Sequence, residues 1–242
     1  ALKNSNGVLV HGDSDKASVL NSFYSNVFTK DNEVLPDFKS RVPTNVKLNN
    51  IDFNSSIVYK HLRQLKPKPS SGPDGLTSLF LKNLASSLSF PLSILFTTSF
   101  ATGDLPDIWK MANVTPIFKK GQTCDPGNYR PISLTCVLCK LMESIIKTRI
   151  ISYLFENKLI TKHQRGFLAK HSTCSQLLEC VNDWSVSINA RNSVDVIYID
   201  FQKAFDSVVH SKLLHKLSAY GIADNLLNWI SSFLSNRSQS VR

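Results

Sequence analysis

Apolar residues recur along most of the chain at helical spacing, and the places where that period fails are as informative as the places where it holds. From Asp15 to Phe28 the apolar positions Val19, Leu20, Phe23, Tyr24 and Val27 fall three or four apart and predict a helix with one buried stripe. A polar, turn-rich stretch follows to about residue 50. Asn54 is placed to cap a second helix in which Ile57, Val58, His61, Leu62 and Leu65 share a face, and Pro67 ends it. Lys66 to Gly75 has the proline, serine and glycine content of an exposed loop. Dense apolar residues from Leu76 to Phe100 predict two packed helices divided at Pro91 and closed by Gly103.

The second half alternates between periods. Val114 to Phe118 suits a short strand, Lys119 to Asn128 a hairpin-like excursion, and Tyr129 to Leu134 the returning strand. Val137, Leu138, Leu141, Met142, Ile145, Ile146 and Ile150 demand a long amphipathic helix. Thr173 is placed to cap another, lined by Leu177, Leu178, Val181, Trp184 and Ile188. The period then changes: Val194 to Asp200 is β-branched and almost continuously apolar, the pattern of a central strand buried on both faces and ending in an acid. Ser211 to Tyr220 reads as a helix closed by Gly221, and Asp224 as the cap of a last helix carrying Leu226, Leu227, Trp229, Ile230 and Phe233. Asn236 to Arg242 is polar and basic.

With 242 residues, 42% of them hydrophobic, the chain can bury a core as one large domain or two small ones. A formal net charge of +10 favours polyanionic partners, of which nucleic acid is the commonest, but does not separate RNA from DNA or from an anionic membrane. No run of eighteen apolar residues and no signal-like start support membrane spanning or secretion, so an intracellular protein, of cytoplasm and nucleus, is expected. Five cysteines fit reduced thiols better than a disulfide framework. Cys136 and Cys139 form a C-x-x-C without a second pair at ligand spacing, within an apolar helical run, and are read as buried thiols rather than zinc ligands.

The sharpest chemical element is Ile197-Tyr198-Ile199-Asp200-Phe201-Gln202-Lys203-Ala204-Phe205-Asp206. An acid at a strand end is held rigidly enough for nucleotidyl transfer, in which two metal ions grip the attacking and leaving oxygens. This spacing resembles the first polymerase motif of reverse transcriptases, in the variant of group II introns and non-LTR retrotransposons. Further segments resembling that family occur in its order: Ser70 to Gly75 with Lys68 ahead of it, Trp109 to Gly121, Asn128 to Leu134, and Gln164-Arg165-Gly166-Phe167-Leu168-Ala169-Lys170-His171-Ser172-Thr173, where Leu168 stands in place of the family's usual arginine. Ala17 to Phe28 resembles the segment that joins an upstream endonuclease to the polymerase in jockey-like elements.

The resemblance implies an α+β fold of the right-hand polymerase kind, helix-rich with a small antiparallel sheet. It implies residues 1–50 as a helical linker or extension, 51–190 as fingers with interleaved palm elements, and 191–242 as the start of the palm, with the rest of palm and thumb absent from this chain. By the same resemblance Asp200 is the catalytic metal ligand, assisted by the Phe201 backbone carbonyl, and Phe205 is a steric gate against a 2′-hydroxyl. Lys119, Lys120 and Arg130 hold the deoxynucleoside triphosphate; a triphosphate concentrates negative charge that positioned cations stabilise, and Arg130 offers bidentate geometry. Gln164, Gly166, Phe167 and Lys170 meet template and primer, and Asp206 is structural, bracing the following turn. The implied cofactor is Mg2+, two ions in the complete enzyme, with Mn2+ as a substitute; the implied partners are an RNA template, a DNA primer and deoxynucleoside triphosphates.

The family's later aromatic-x-Asp-Asp hairpin has no counterpart here, since the sequence holds no Asp-Asp pair. One carboxylate does not hold two hard divalent ions, so this polypeptide on its own is expected to be inactive. A non-catalytic nucleic-acid-binding remnant is the alternative reading. An RNA polymerase templated by RNA is disfavoured by the bulk of Phe205.

Overall fold

The computed structural model describes all residues 1–242. Two short strands, β1 (Leu2–Lys3) and β2 (Leu9–Val10), pair antiparallel and lead into α1 (Asp13–Ser25), which begins two residues earlier than the pattern predicts. α2 (Ser55–Gln64) starts where the sequence places it: the Asn54 side chain accepts the Ile57 N–H at 2.9 Å. Its buried stripe, Val58 and Leu62, faces the core.

The helix division falls elsewhere than at Pro91. α3 (Ser78–Asn83) ends at Leu84, and α4 (Ala85–Thr102) runs unbroken through the proline. Pro91 lies on the exposed side of α4, so the carbonyl it leaves unpaired faces water. Leu92, Phe96 and Phe100 on the opposite side pack into the core and hold the helix against the proline's cost of about 3 kcal/mol. Gly103, at φ +73°, closes α4 as predicted.

β3 (Met111–Phe118) and β4 (Tyr129–Leu134) form the expected antiparallel hairpin, with Ile117 opposite Arg130 and Phe118 opposite Tyr129. α5 (Val137–Glu156), α6 (Thr173–Asn189), α7 (His210–Ala219) and α8 (Asp224–Leu234) complete the helices. The polar tail forms β5 (Ser238–Val241), which adds to β3 in parallel and makes the sheet order β4-β3-β5, a parallel edge that composition does not reveal. The fold is thus the helix-rich α+β expected.

Two cores hold it. The larger joins α2, α4, α5 and α8: Phe53 meets Phe96 and Phe100 with ring centroids 6.1 and 5.4 Å apart, and Trp229 donates its indole N–H to Ser99 Oγ at 3.3 Å. The smaller sandwiches the sheet against α1, with Val114 meeting Leu2, Leu20 and Tyr24. Because strand residues alternate, Val114, Phe118 and Tyr129 belong to this covered face, whereas Met111, Ile117, Arg130 and Ile132 lie on the other, which stays open. Cys136 and Cys139 are fully buried free thiols, as the apolar run requires.

Three expectations fail at specific places. α6 is capped by Ser172, in a reciprocal capping box with Ser175, rather than by Thr173; its Leu177, Leu178, Val181 and Ile188 are exposed, since no element of the chain packs over them. α8 is preceded by Ala223, and Asp224 is not its cap: that residue has φ +48°, and its carboxylate accepts from Asn49 Nδ2 at 3.0 Å. Residues 193–200 form no strand. They run unpaired, with Ile197, Tyr198 and Ile199 at 85, 84 and 78% exposure, because no strand of this chain lies alongside to complete their hydrogen bonds.

Candidate nucleotide and nucleic-acid surface

The hairpin that carries the predicted triphosphate cations is built tightly. Lys119 N–H donates to the Asn128 carbonyl at 2.8 Å, Asn128 Nδ2 to the Gln122 carbonyl at 3.0 Å, and the Tyr129 hydroxyl to the Thr123 carbonyl at 2.8 Å. Gly121 turns the tip at φ +94°, where a side chain would press on Asn128. Lys119, Lys120 and Arg130 are all exposed, and none enters an ion pair. Arg130 stands on the open face of the sheet and the lysines at its end, so the three cations are free to meet an anion.

The Lys66 to Gly75 segment is less exposed than its composition predicts. Gly72 is buried: a side chain there would come within 2.5 Å of Cys136 N and the Thr135 carbonyl carbon, so only glycine lets this loop lie against the junction of β4 and α5. Ser71 bridges Thr77, and Ser78 Oγ accepts the Lys68 N–H at 2.9 Å while donating to the Lys66 carbonyl at 2.8 Å. Sequence reading misses this docking because the complementary surface comes from residues more than sixty positions away.

In the segment after α5, Gln164 Nε2 donates to the Gly166 carbonyl at 2.9 Å, and Arg165 pairs with Glu179 of α6, holding that carboxyl below its ordinary range. Nothing in the local packing demands glycine at 166, where a Cβ would make only an ordinary contact. Phe167 and Lys170 instead carry the strain, both at φ +63°. Phe167 is 81% exposed and its ring stands edge-on to Phe205, itself 77% exposed, with centroids 5.9 Å apart at 89°. The structure therefore joins one predicted template residue to the predicted gate.

Asp200 is exposed, with no hydrogen-bond or ion-pair partner, and nothing bonds it to Lys119, Lys120 or Arg130. Phe201 after it is also exposed. Downstream the chain is fastened to the α1 side of the molecule: Lys203 Nζ lies 5.7 Å from the Phe23 ring centroid, and Thr29 N–H donates to the Asp206 carbonyl at 3.3 Å. Asp206 thus acts through its backbone, and its carboxylate makes none of the turn-bracing hydrogen bonds expected of it. The Ser211 hydroxyl, at 2.6 Å, and Lys212 hold the Asp31 carboxyl below its ordinary value. No group of three or more His, Cys, Asp or Glu is arranged to hold a metal ion. The residues present do not fit a two-ion site; Asp200 offers such a site a single carboxylate.

Residues 117–242 match the family model for reverse transcriptase (RNA-dependent DNA polymerase), more than half the chain. The chain is 29% identical over 192 residues to an RNA-directed DNA polymerase named for transposon BS of Drosophila melanogaster, covering 76% of this chain and 20% of that protein. It is 32% identical over 185 residues to the RNA-directed DNA polymerase from mobile element jockey of Drosophila funebris, covering 76% and 20% respectively. It is 28% identical over 178 residues to the Pol polyprotein from type-1 retrotransposable element R2 of Popillia japonica, covering 72% and 24%. The chain spans about a fifth of the length of the first two relatives.

Proposed function

The chain belongs to the reverse transcriptase (RNA-dependent DNA polymerase) family, and from that premise we propose that it supplies the fingers and the first palm carboxylate of a retrotransposon enzyme that copies an RNA template from a DNA primer. Its division into 1–50, 51–190 and 191–242 is one of role rather than packing, since α4 and α8 share a core. Lys119, Lys120 and Arg130 bind the triphosphate of the incoming deoxynucleotide, and Arg130 grips it bidentately. Phe205 closes the space a 2′-hydroxyl would need. Gln164, Gly166, Phe167 and Lys170 contact template and primer. Members of the family use divalent metal ions; Asp200, with the Phe201 carbonyl, offers oxygen ligands for Mg2+ or Mn2+, and carboxylates from beyond these residues complete that site. The working enzyme acts in cytoplasm and nucleus, with an endonuclease upstream in the same polyprotein. No helix is long and apolar enough to cross a membrane.

The observation that carries this reading is the family match across the Asp200 to Asp206 motif, joined to a cationic hairpin free of ion-pair partners. Primer extension tests it. The 242-residue polypeptide is expected to incorporate no deoxynucleotide with Mg2+, because a single carboxylate does not organise the ions. In the intact element-encoded protein, Asp200→Ala is expected to remove extension altogether, and Phe205→Ala to raise ribonucleotide use. Full activity of the Asp200→Ala protein would overturn the assignment.

A further inference from the structure

The polar, turn-rich stretch between α1 and α2 forms no helix or strand of its own, yet it follows α7 from one end to the other. Its contacts advance in step with that helix. Asp31 meets Ser211 and Lys212, and Phe38 meets His215 with ring centroids 5.6 Å apart while Lys216 Nζ lies 5.9 Å from the Phe38 ring. Arg41 N–H donates to the Ala219 carbonyl at 2.8 Å, and Leu48 N–H to the Gly221 carbonyl at 2.8 Å. α7 needs such a partner at its start. Val209, in its N-cap position, has no side chain that accepts a hydrogen bond, and its first turn carries no acid, so its own sequence leaves the positive end of the helix unanswered. Asp31 supplies the missing charge from 180 residues away: its Oδ2 accepts the Ser211 hydroxyl at 2.6 Å, and its Oδ1 lies 3.5 Å from Lys212 Nζ. Oδ1 also accepts the Glu33 N–H at 3.0 Å, which fixes the carboxylate within its own turn, and Asn32 accepts a further hydrogen bond from Lys212.

The residues between Asp200 and α7 depend on this anchorage. Lys203 over the Phe23 ring and the Thr29 N–H on the Asp206 carbonyl hold them at one end, and Asp31 and Asn32 hold the other, so Phe205 lies between points that are all fixed by residues 23–32. Ser207 N–H donates to the Lys203 carbonyl at 3.0 Å and Val208 N–H to the Phe205 carbonyl at 3.2 Å, which makes the intervening residues one compact turn. The Phe205 ring itself is mostly exposed, so packing around it does little to hold it and its place comes from the backbone. We propose that Asp31 is a positioning residue for nucleotide selection: by clamping Ser211 and Lys212 to the N-terminal segment, it sets where the Phe205 ring stands against the sugar of the incoming nucleotide. This rests on the proposed function for the role of Phe205. Both oxygens of the Asp31 carboxylate are engaged, so the clamp has a single geometry and transmits it to the turn it closes.

Sugar discrimination by the intact element-encoded protein tests this, measured as kcat/KM for a deoxynucleoside triphosphate divided by kcat/KM for the matching ribonucleoside triphosphate. Both substrates meet the same enzyme, so partial unfolding cancels from the ratio. Asp31→Ala is expected to lower it by about tenfold, since a displacement of about 1 Å at a reacting centre costs up to about a hundredfold. Asp31→Asn keeps an acceptor for Ser211 and loses the attraction to Lys212; it is expected to fall between the two and takes the place of the alanine variant should that not fold. In a Phe205→Ala background Asp31→Ala is expected to lower the ratio no further, because it acts through that ring. Val209→Asp gives α7 a cap of its own and is expected to return thermal stability to the Asp31→Ala protein without returning the ratio. Hydrogen exchange of the 242-residue chain gives a readout without turnover: Asp31→Ala is expected to speed exchange at Thr29, Ser207, Val208 and Leu213, whose amides are hydrogen-bonded around the clamp, and to leave α2 and α4 unchanged. An unchanged ratio in Asp31→Ala, its recovery with Val209→Asp, or unchanged exchange at those four amides would overturn the positioning role. A ratio that Phe205→Ala itself does not move would overturn the gate and the positioning together, while loss of extension in Asp200→Ala would still sustain the polymerase reading.

Discussion

Two tyrosines of this chain bury their rings with opposite consequences for their hydroxyls. Tyr153 donates to the Tyr220 carbonyl at 3.0 Å, whereas the Tyr24 hydroxyl is buried without a partner, and burial pushes its ionisation upward. An unsatisfied buried group costs what a satisfied one does not, so Tyr24→Phe is expected to be neutral or to stabilise by up to about 1 kcal/mol, and Tyr153→Phe to destabilise by about 1 kcal/mol. Thermal melts should separate the two by several degrees. Gly221 beside Tyr153 is expected to be far less tolerant: it sits at φ +81°, and a Cβ would lie 2.2 Å from the Tyr153 hydroxyl and 2.8 Å from the Val46 carbonyl oxygen. Gly221→Ala is expected to cost more than about 2 kcal/mol, measured by urea denaturation. The buried thiols add a pH dependence. Burial pushes Cys136 up to about 11, from an ordinary value of 9.0, and raises Cys139 too, with Glu143 adding to the effect. A proton held more tightly in the fold than in the unfolded chain contributes stability that is complete below pH 9 and drains away as pH rises towards 11. Urea midpoints should therefore fall across that window, and Cys136→Ser/Cys139→Ser should make the fall shallower, leaving the part that buried Tyr24 and Tyr153 contribute. Exposed Cys174 should react with a thiol reagent well before either.

Elements whose sequence pattern and tertiary partners both lie within these residues form where the pattern puts them. α2 with its Asn54 cap, the β3–β4 hairpin and α5 all do so, because the cap, the alternation and the stripe are local and the core that receives them is present. The region 193–200 differs: its β-branched run is legible, but a strand also needs neighbours, which no propensity supplies. The same absence exposes the stripe of α6. Of the candidate site, the cationic hairpin and the Asp200 motif were readable from residue types, while the burial of Gly72 and the meeting of Phe167 with Phe205 came from contacts distant in sequence. Pro91 shows tertiary packing overriding a local breaker, and that is testable. Pro91→Ala returns an N–H to the middle of α4 without touching the buried face. Stability is expected to rise by about 1–2 kcal/mol, the full cost of the proline being partly offset by the greater freedom of the unfolded chain. A denaturation midpoint no higher than that of the unaltered chain would mean that α4 bends at Pro91 in solution.

For the molecule as a whole, opposing tendencies meet on one surface. A net charge of +10 keeps copies apart, yet Ile197, Tyr198, Ile199, Phe201 and the outer stripe of α6 present apolar area beside a backbone with unpaired hydrogen-bonding groups. Charge repulsion is screened within about 8 Å at physiological salt, while strand pairing and apolar burial are not. Self-association is therefore expected to grow with salt, the reverse of nucleic-acid binding, which weakens with it. Ile197→Lys/Ile199→Lys places charges on the unpaired segment without disturbing either core, as edge strands of soluble proteins do. The variant is expected to stay monomeric at salt concentrations where the unaltered chain shifts to larger species in sedimentation velocity, with a melting temperature unchanged within about 2 °C. Association that persists in this variant and disappears instead in Leu178→Lys/Val181→Lys would move the sticky surface from the 193–200 segment to α6.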